Sequence, residues 1–122
     1  MKIEANADYG NVNYKNFLIN SERYFEALNE KDLNFLSQLY HTDIELVDWN
    51  GEWNGIQSVL DMNEGMFDAG LEFELEFSNQ IGRITYNHIL IHTDAKTFKV
   101  LDVIHWNDDF KITKIEAFKG QL

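Results

Sequence analysis

From Tyr14 to Leu28, apolar and small side chains recur every three or four residues: Tyr14, Phe17, Leu18, Ser21, Tyr24, Phe25 and Leu28. That spacing gathers them on one face of a helix, and Asn13 is placed to cap its start. The run Asn29-Glu30-Lys31 interrupts the pattern, and Asp32 can cap a second helix carrying Leu33, Leu36, Leu39 and Tyr40. Residues 43–49 alternate as a short strand, which the turn signal Asn50-Gly51 stops. Gly55 then precedes a third helix bearing Ile56, Val59, Leu60, Met66 and Phe67, closed by Gly70.

After Gly70 the period drops to two. Leu71, Phe73, Leu75 and Phe77 alternate with Glu72, Glu74, Glu76 and Ser78, which reads as a half-buried strand with a solvated glutamate row. Three more strands are expected near 82–93, 96–107 and 110–119. Short turns join them, so they should pair antiparallel. Helices first and a curled antiparallel sheet afterwards make an α+β arrangement. Residues 1–12 read as a loose arm and residues 13–122 as one domain.

Composition narrows the partners. The chain has 122 residues, enough for a single buried core, and 44% of them are hydrophobic. A formal net charge of −11 argues against nucleic acid and anionic membrane surfaces, since both need cationic surface. There is no cysteine, so disulfides, thiolate metal sites and a cysteine nucleophile are excluded. Met1 to Asn13 carry no apolar core, so neither a signal peptide nor an anchor is expected there. No run approaches the roughly 20 apolar residues of a membrane span. A cytoplasmic protein is the expectation.

The chemistry centres on carboxylates and a phenol. Asp102 interrupts the apolar run Lys99-Val-Leu-Asp-Val-Ile-His-Trp106, where an ionised group without a partner is costly. Alternation puts it on one face with Phe98, Val100, Ile104 and Trp106, as in the wall of a ligand pocket. Leu101, Val103 and His105 take the other face. Asp48 ends the first strand, where a plain turn role is equally open to it. Tyr24 lies on the apolar helix face, where a core tyrosine is the commoner reading. His88 and His92 share a strand face, yet four strand residues span about 13 Å, too far for one ion. His88 could still reach a pocket with Ile84, Tyr86 and Leu90. No metal or other cofactor site is expected, and no serine or glycine-rich motif suits a nucleophile or a phosphate.

Four segments in order resemble the nuclear transport factor 2-like superfamily of SnoaL-type cyclases and ketosteroid isomerases. They are Tyr24-Phe-Glu-Ala-Leu-Asn-Glu-Lys-Asp-Leu33, Leu39-Tyr-His-Thr-Asp-Ile-Glu-Leu-Val-Asp-Trp49, Trp53-Asn-Gly-Ile56, and the stretch from Asp102 to Phe118. The resemblance covers nearly all of the chain from about residue 16. It implies a cone: a curled, mainly antiparallel sheet around a long N-terminal helix, closed by two further helices. It also implies a general base at Asp48, and an oxyanion hole of Tyr24 with a protonated Asp102. In the ketosteroid isomerases an apolar site keeps the corresponding carboxylic acid neutral, so that it can donate a hydrogen bond. The chain departs from the isomerase pattern at Trp49, where proline is usual. Asn63 replaces a supporting tyrosine, while Tyr40 keeps another supporting position, and Lys119 replaces a pocket aromatic. These departures point away from a steroid.

Two functions fit. The first is an isomerase- or cyclase-like enzyme moving a proton on a small apolar carbonyl compound, with Leu46, Val100, Ile104, Ile115, Ala117 and Tyr86 lining the cavity. The second is a non-catalytic ligand-binding or dimerisation module of the same shape. The outward strand face at Leu101, Val103 and His105 suggests a homodimer.

Overall fold

The computed structural model describes residues 14–120, so the arm expected over 1–12 and the cap expected at Asn13 lie outside the described residues. The helices are α1 (Phe17–Glu30), α2 (Leu33–Leu39) and α3 (Ile56–Asp68). The strands are β1 (Tyr40–Asp48), β2 (Gly51–Asn54), β3 (Glu72–Ile81), β4 (Ile84–His92), β5 (Thr97–Trp106) and β6 (Ile112–Lys119). They form one sheet in the order β2-β1-β6-β5-β4-β3. β1 and β6 run parallel, and every other neighbouring pair is antiparallel. This is the α+β fold expected, a curled sheet closed by three helices.

Local chemistry explains the helix starts. Asn16 caps α1, its side-chain oxygen accepting from the Ile19 amide at 2.9 Å. Asp32 caps α2 by accepting from the Phe35 amide at 3.0 Å. Gly55 opens α3 with φ +90°, a conformation that strains any residue with a Cβ. α1 packs on β3 and β4 while α3 packs on β1 and β2. The concave face is thus covered from both ends, with α2 wedged between the longer helices. Leu28, Leu36, Leu39, Ile44, Val59, Ile89, Ile104 and Ile115 form the centre of the core and are essentially inaccessible.

α1 is also tied to the sheet by polar contacts. Ser21 and Thr85 share a buried 2.8 Å hydrogen bond between hydroxyls, and the Trp106 indole N–H donates to the same Thr85 oxygen at 3.1 Å. The Asn87 amide donates to the Asp102 carbonyl at 3.0 Å and accepts from the Ser78 hydroxyl at 2.7 Å. At the free edge of β3, the Asn29 amide donates to the Phe73 carbonyl at 2.7 Å and accepts from the Phe73 amide at 2.8 Å. That pairing satisfies an edge position which otherwise faces open ladder groups.

Three local readings of the sequence change. Tyr40 starts β1 in extended conformation, instead of ending α2, because it pairs with Ile112 of β6. After the Asn50-Gly51 turn the chain does not pass straight to the third helix: Gly51–Asn54, assigned to no strand in the sequence, returns along β1 as β2, with Leu46 opposite Trp53. The alternation Leu71-Phe73-Leu75-Phe77 is broken by a register shift between Leu75 and Phe77. One extra residue, Glu76, turns Phe77 to the convex side, where it stacks on His88 at 4.0 Å and is 57% exposed.

Asn29→Ala should remove both edge contacts and cost about 1–2 kcal/mol in urea unfolding. The Phe73 amide should then exchange with solvent faster than in wild type, as followed by hydrogen-exchange NMR. An unchanged Phe73 amide would show that the edge pairing does not hold.

Candidate active site

The concave face leaves an apolar chamber between α1, α3 and the sheet. Tyr24 and Leu28 enter it from α1, and Met62, Asn63 and Met66 from α3. β1 brings Leu46 and Asp48, followed directly by Trp49. β3 and β4 supply Phe73, Ile89 and Ile91, while β5 and β6 supply Val100, Asp102, Ile115 and Ala117. Its cavity volume is about 50 Å³. That is room for a few waters, so the chamber suits a small ligand better than a polycyclic one.

The sheet register aims Asp102 inward. It stands opposite Ala117 on β6 and Asn87 on β4, with Val100 and Ile104 as its neighbours on the same face. Its side chain is buried, and among the described residues no side chain hydrogen-bonds its carboxyl. Burial in these apolar walls pushes its pKa up from 3.8 to about 7, and the charge of Asp48 adds to the rise. Near neutrality Asp102 therefore retains much of its proton and can donate a hydrogen bond.

Tyr24 projects from the second turn of α1 and is 2% exposed. Burial holds its phenol well above the ordinary value, and the nearby Tyr40 and Asp102 push it the same way, so it stays protonated. Its hydroxyl lies near that of Tyr40, which donates to the Asn63 carbonyl at 2.6 Å. An amide carries an acceptor and a donor on the same fork. Turning Asn63 over reverses the chain, so that Asn63 donates to Tyr40, Tyr40 to Tyr24, and Tyr24 to a bound oxygen. Burial raises Tyr40 as well, so all three groups are neutral.

Asp48 combines both readings open to it. One carboxylate oxygen accepts from the Asn50 amide at 2.6 Å, closing the turn into β2, and the side chain also lines the chamber. The turn contact fixes the carboxylate at the strand end.

Of the residues expected at the site, Tyr24, Asp48, Asp102, Leu46, Val100, Ile115 and Ala117 meet at this chamber. Tyr40 lies behind Tyr24 and braces it. Ile104 shares the Asp102 face but is wholly buried one step deeper, in the core. Tyr86 and His88 are corrected: the chamber side of β4 is Thr85, Asn87, Ile89 and Ile91, and the other parity faces outward. β4 is apolar on both faces around Ile89-Leu90-Ile91, so alternation alone does not choose a side. The buried polar pair Thr85 and Asn87, needing partners inside the fold, is the signal that chooses. Met62, Met66, Phe73 and Ile91 were not anticipated, because they meet the site from elements far apart in sequence.

Titration of the carboxyl carbons by NMR should give Asp102 a midpoint of about 7, against its ordinary 3.8. Because folding raises this value, the stabilising increment is fully present below 3.8 and is lost as the pH rises to about 7. Asp102→Asn should not show that decline, so its stability relative to wild type should improve across the interval. An ordinary aspartate midpoint would remove the neutral donor.

Comparison with solved structures places the fold. A SnoaL-like protein of unknown function from Burkholderia thailandensis superposes with a TM-score of 0.74 at 21% identity, covering 86% of this chain and 96% of that one. An LEH-like epoxide hydrolase from M. tuberculosis gives 0.71 at 15% identity, with coverages of 85% and 82%. A protein with a ketosteroid isomerase-like fold from Catenulispora acidiphila, in complex with trimethylamine, gives 0.68 at 12% identity, with coverages of 77% and 79%. Identities this low speak for the fold alone. No curated protein matches the chain. The family model of the SnoaL-like domain matches residues 21–115, which spans α1 to β6, and the chain belongs to that SnoaL-like family.

Proposed function

We propose that this chain catalyses cofactor-independent proton transfer on a small carbonyl compound, as an isomerase or cyclase would. The observation that carries the reading is the meeting of Tyr24, Asp102 and Asp48 on one apolar chamber. Two of these groups hold protons to donate, and the third is a carboxylate fixed at a strand end.

In the proposed step the Asp48 carboxylate removes a proton from the carbon α to the carbonyl. The C–H electron pair moves into the new C=C bond, and the carbonyl oxygen becomes an enolate oxygen. Tyr24 O–H and the protonated Asp102 donate hydrogen bonds to that oxygen as its charge develops. Asp48 then returns the proton to a conjugated carbon, which completes an isomerisation. In a cyclisation the enolate carbon would instead attack a second carbonyl of the same molecule, the first carbonyl would re-form, and the proton held by Asp48 would pass to the new alkoxide oxygen. The apolar walls keep bulk water from competing for the enolate and strengthen both hydrogen bonds.

The narrowness of the chamber favours one other reading, a non-catalytic module that binds a small apolar ligand. Deuterium exchange at the α-carbon of small enones and β-keto compounds separates the two. Asp48→Asn should abolish exchange while leaving the fold intact, because asparagine keeps the turn contact to Asn50. Tyr24→Phe should slow exchange about 10²- to 10³-fold with little effect on affinity for the ground-state ketone, while weakening ligands that mimic the enolate. The rate should fall as the pH rises through about 7, where Asp102 loses its proton, and Asp102→Asn should remove that fall. Wild-type protein exchanging no faster than Asp48→Asn across the panel would establish the binding module instead.

The convex face supports a second part of the proposal, assembly as a homodimer. Phe77, Ile81 and Phe118 are 57%, 70% and 55% exposed there, beside Leu101 and the Phe77–His88 stack. Val103, also expected at this surface, is already covered within the chain, and His105 is paired with Glu116 at 2.9 Å. A contiguous apolar face of this kind is suited to a second copy of itself. Light scattering should report a dimer at micromolar concentration, and Phe118→Asp should shift it toward monomer. Monomer alone in wild type would refute the assembly.

A further inference from the structure

Trp49 lines the chamber and is nevertheless 42% exposed, so its ring stands at the mouth. Phe98 faces it with ring centroids 6.5 Å apart. Phe98 stands opposite the chamber residue Ile91 on the ladder. The Lys119 ammonium sits against this pair, 4.4 Å from the Phe98 centroid and 5.8 Å from that of Trp49. Lys119 is opposite Val100 and two residues from Ala117, both chamber residues, so its side chain leaves β6 on the concave side. A second ammonium, that of Lys96, lies 4.9 Å over the same Phe98 ring.

Two ammonium groups at one opening stand out in a chain of net charge −11. The ion pairs of the described residues engage Arg83, His92, His105 and Lys114, and neither Lys96 nor Lys119 has a carboxylate partner among them. Their contacts to the rings are weak at an exposed site, so they position the ammonium groups without neutralising them. Deeper in, Asp48 and Asp102 line the walls. A permanently charged carboxylate is disfavoured in the dehydrated interior beside Asp48 and attracted to the rim, which gives the chamber a polarity along its length.

We propose that Lys119, assisted by Lys96, forms an anion subsite at the mouth, and that the chamber takes small carbonyl compounds carrying a carboxylate. The carboxylate pairs with Lys119 at the rim, while the carbonyl end points inward to Tyr24 and Asp102. Lys119 leaves β6 beside Val100, two strand positions from Asp102, and its ammonium reaches the ring of Phe98, four positions from Asp102, so the two ends of the ligand are set roughly 7–13 Å apart, a separation that a short chain or one ring with a side arm bridges. Lys119 thereby sets specificity and orientation without touching the reacting atoms. The orientation of the carbonyl end rests on the proton-transfer reading above; the anion subsite does not.

Calorimetric titration with 4-hydroxyphenylacetate and its neutral isostere 4-hydroxyphenylacetamide tests this, the phenol oxygen standing in for the enolate oxygen. Wild type should bind the acid about fivefold more tightly than the amide at low salt, and added salt should shrink the difference. Lys119→Met keeps an unbranched stem on the rings and should erase the preference while leaving the amide affinity unchanged. Tyr24→Phe should weaken both ligands alike. Equal binding of acid and amide by wild type, both weakened in Tyr24→Phe, would overturn the anion subsite and leave the proton-transfer reading standing. A preference that depends on Lys119 but ignores Tyr24→Phe would keep the subsite and overturn the inward placement of the carbonyl. Failure of both ligands to bind at millimolar concentration would overturn both.

Discussion

The concave face of the sheet is the constraint on which the rest of the structure depends. Five long strands present one largely apolar concave face, and burying it drives folding at about 25 cal/mol per Å². Three helices cover that face from its two ends, α1 on β3 and β4, α3 on β1 and β2. Cylinders laid on a curved surface do not fill the space between them, and the gap becomes a chamber with apolar walls. The Ser21–Thr85 hydrogen bond and the Asn29 bridge to Phe73 fix α1 at both ends, and so fix the width of that gap.

The same walls govern the chemistry. A carboxyl exposed to water titrates near 4, whereas Asp102 among Val100, Ile115 and Ala117 is pushed to about 7 by loss of hydration. The second carboxylate, Asp48, reinforces that shift, so the environments of the two differ although the residue type is the same. Tyr24 is held neutral by the same burial and is braced by Tyr40 and Asn63. A reversible donor chain of three neutral groups suits a site where negative charge appears and disappears on one oxygen. No single residue confers this; it follows from placing polar groups where the helices leave the sheet uncovered.

The mouth has a different physics. Trp49, Phe98, Lys96 and Lys119 meet water, so charge costs little there and ring faces hold the ammonium groups in place. The interior thus favours a neutral polar end and the rim an anionic one. A ligand with one neutral polar end and one anionic end has a single favourable orientation in such a field.

Much of this was legible along the chain because it depends on near neighbours. The alternation through Phe98, Val100, Asp102, Ile104 and Trp106 names the inner face of β5, and Asp32 and Gly55 mark helix starts by backbone chemistry alone. An isolated carboxyl on an apolar face is likewise a local fact. What the tertiary structure decided is every feature that needs a second strand or helix as reference. The side of β4 facing the chamber is ambiguous in the apolar run, since Ile89, Leu90 and Ile91 are apolar in either parity; burial of Thr85 and Asn87 and the pairing of Asn87 with Asp102 resolve it. The bulge at Glu76, the return of Gly51–Asn54 along β1, and the parallel pairing of β1 with β6 are settled by competition between ladders. Asn63 behind Tyr40 and Lys119 between two rings acquire meaning only from partners 21 to 70 positions away. The sequence determined periodicity, caps and the presence of chemistry, because these are short-range. The assembly of that chemistry belongs to the fold, because hydrogen bonds and burial act through space and not along the chain.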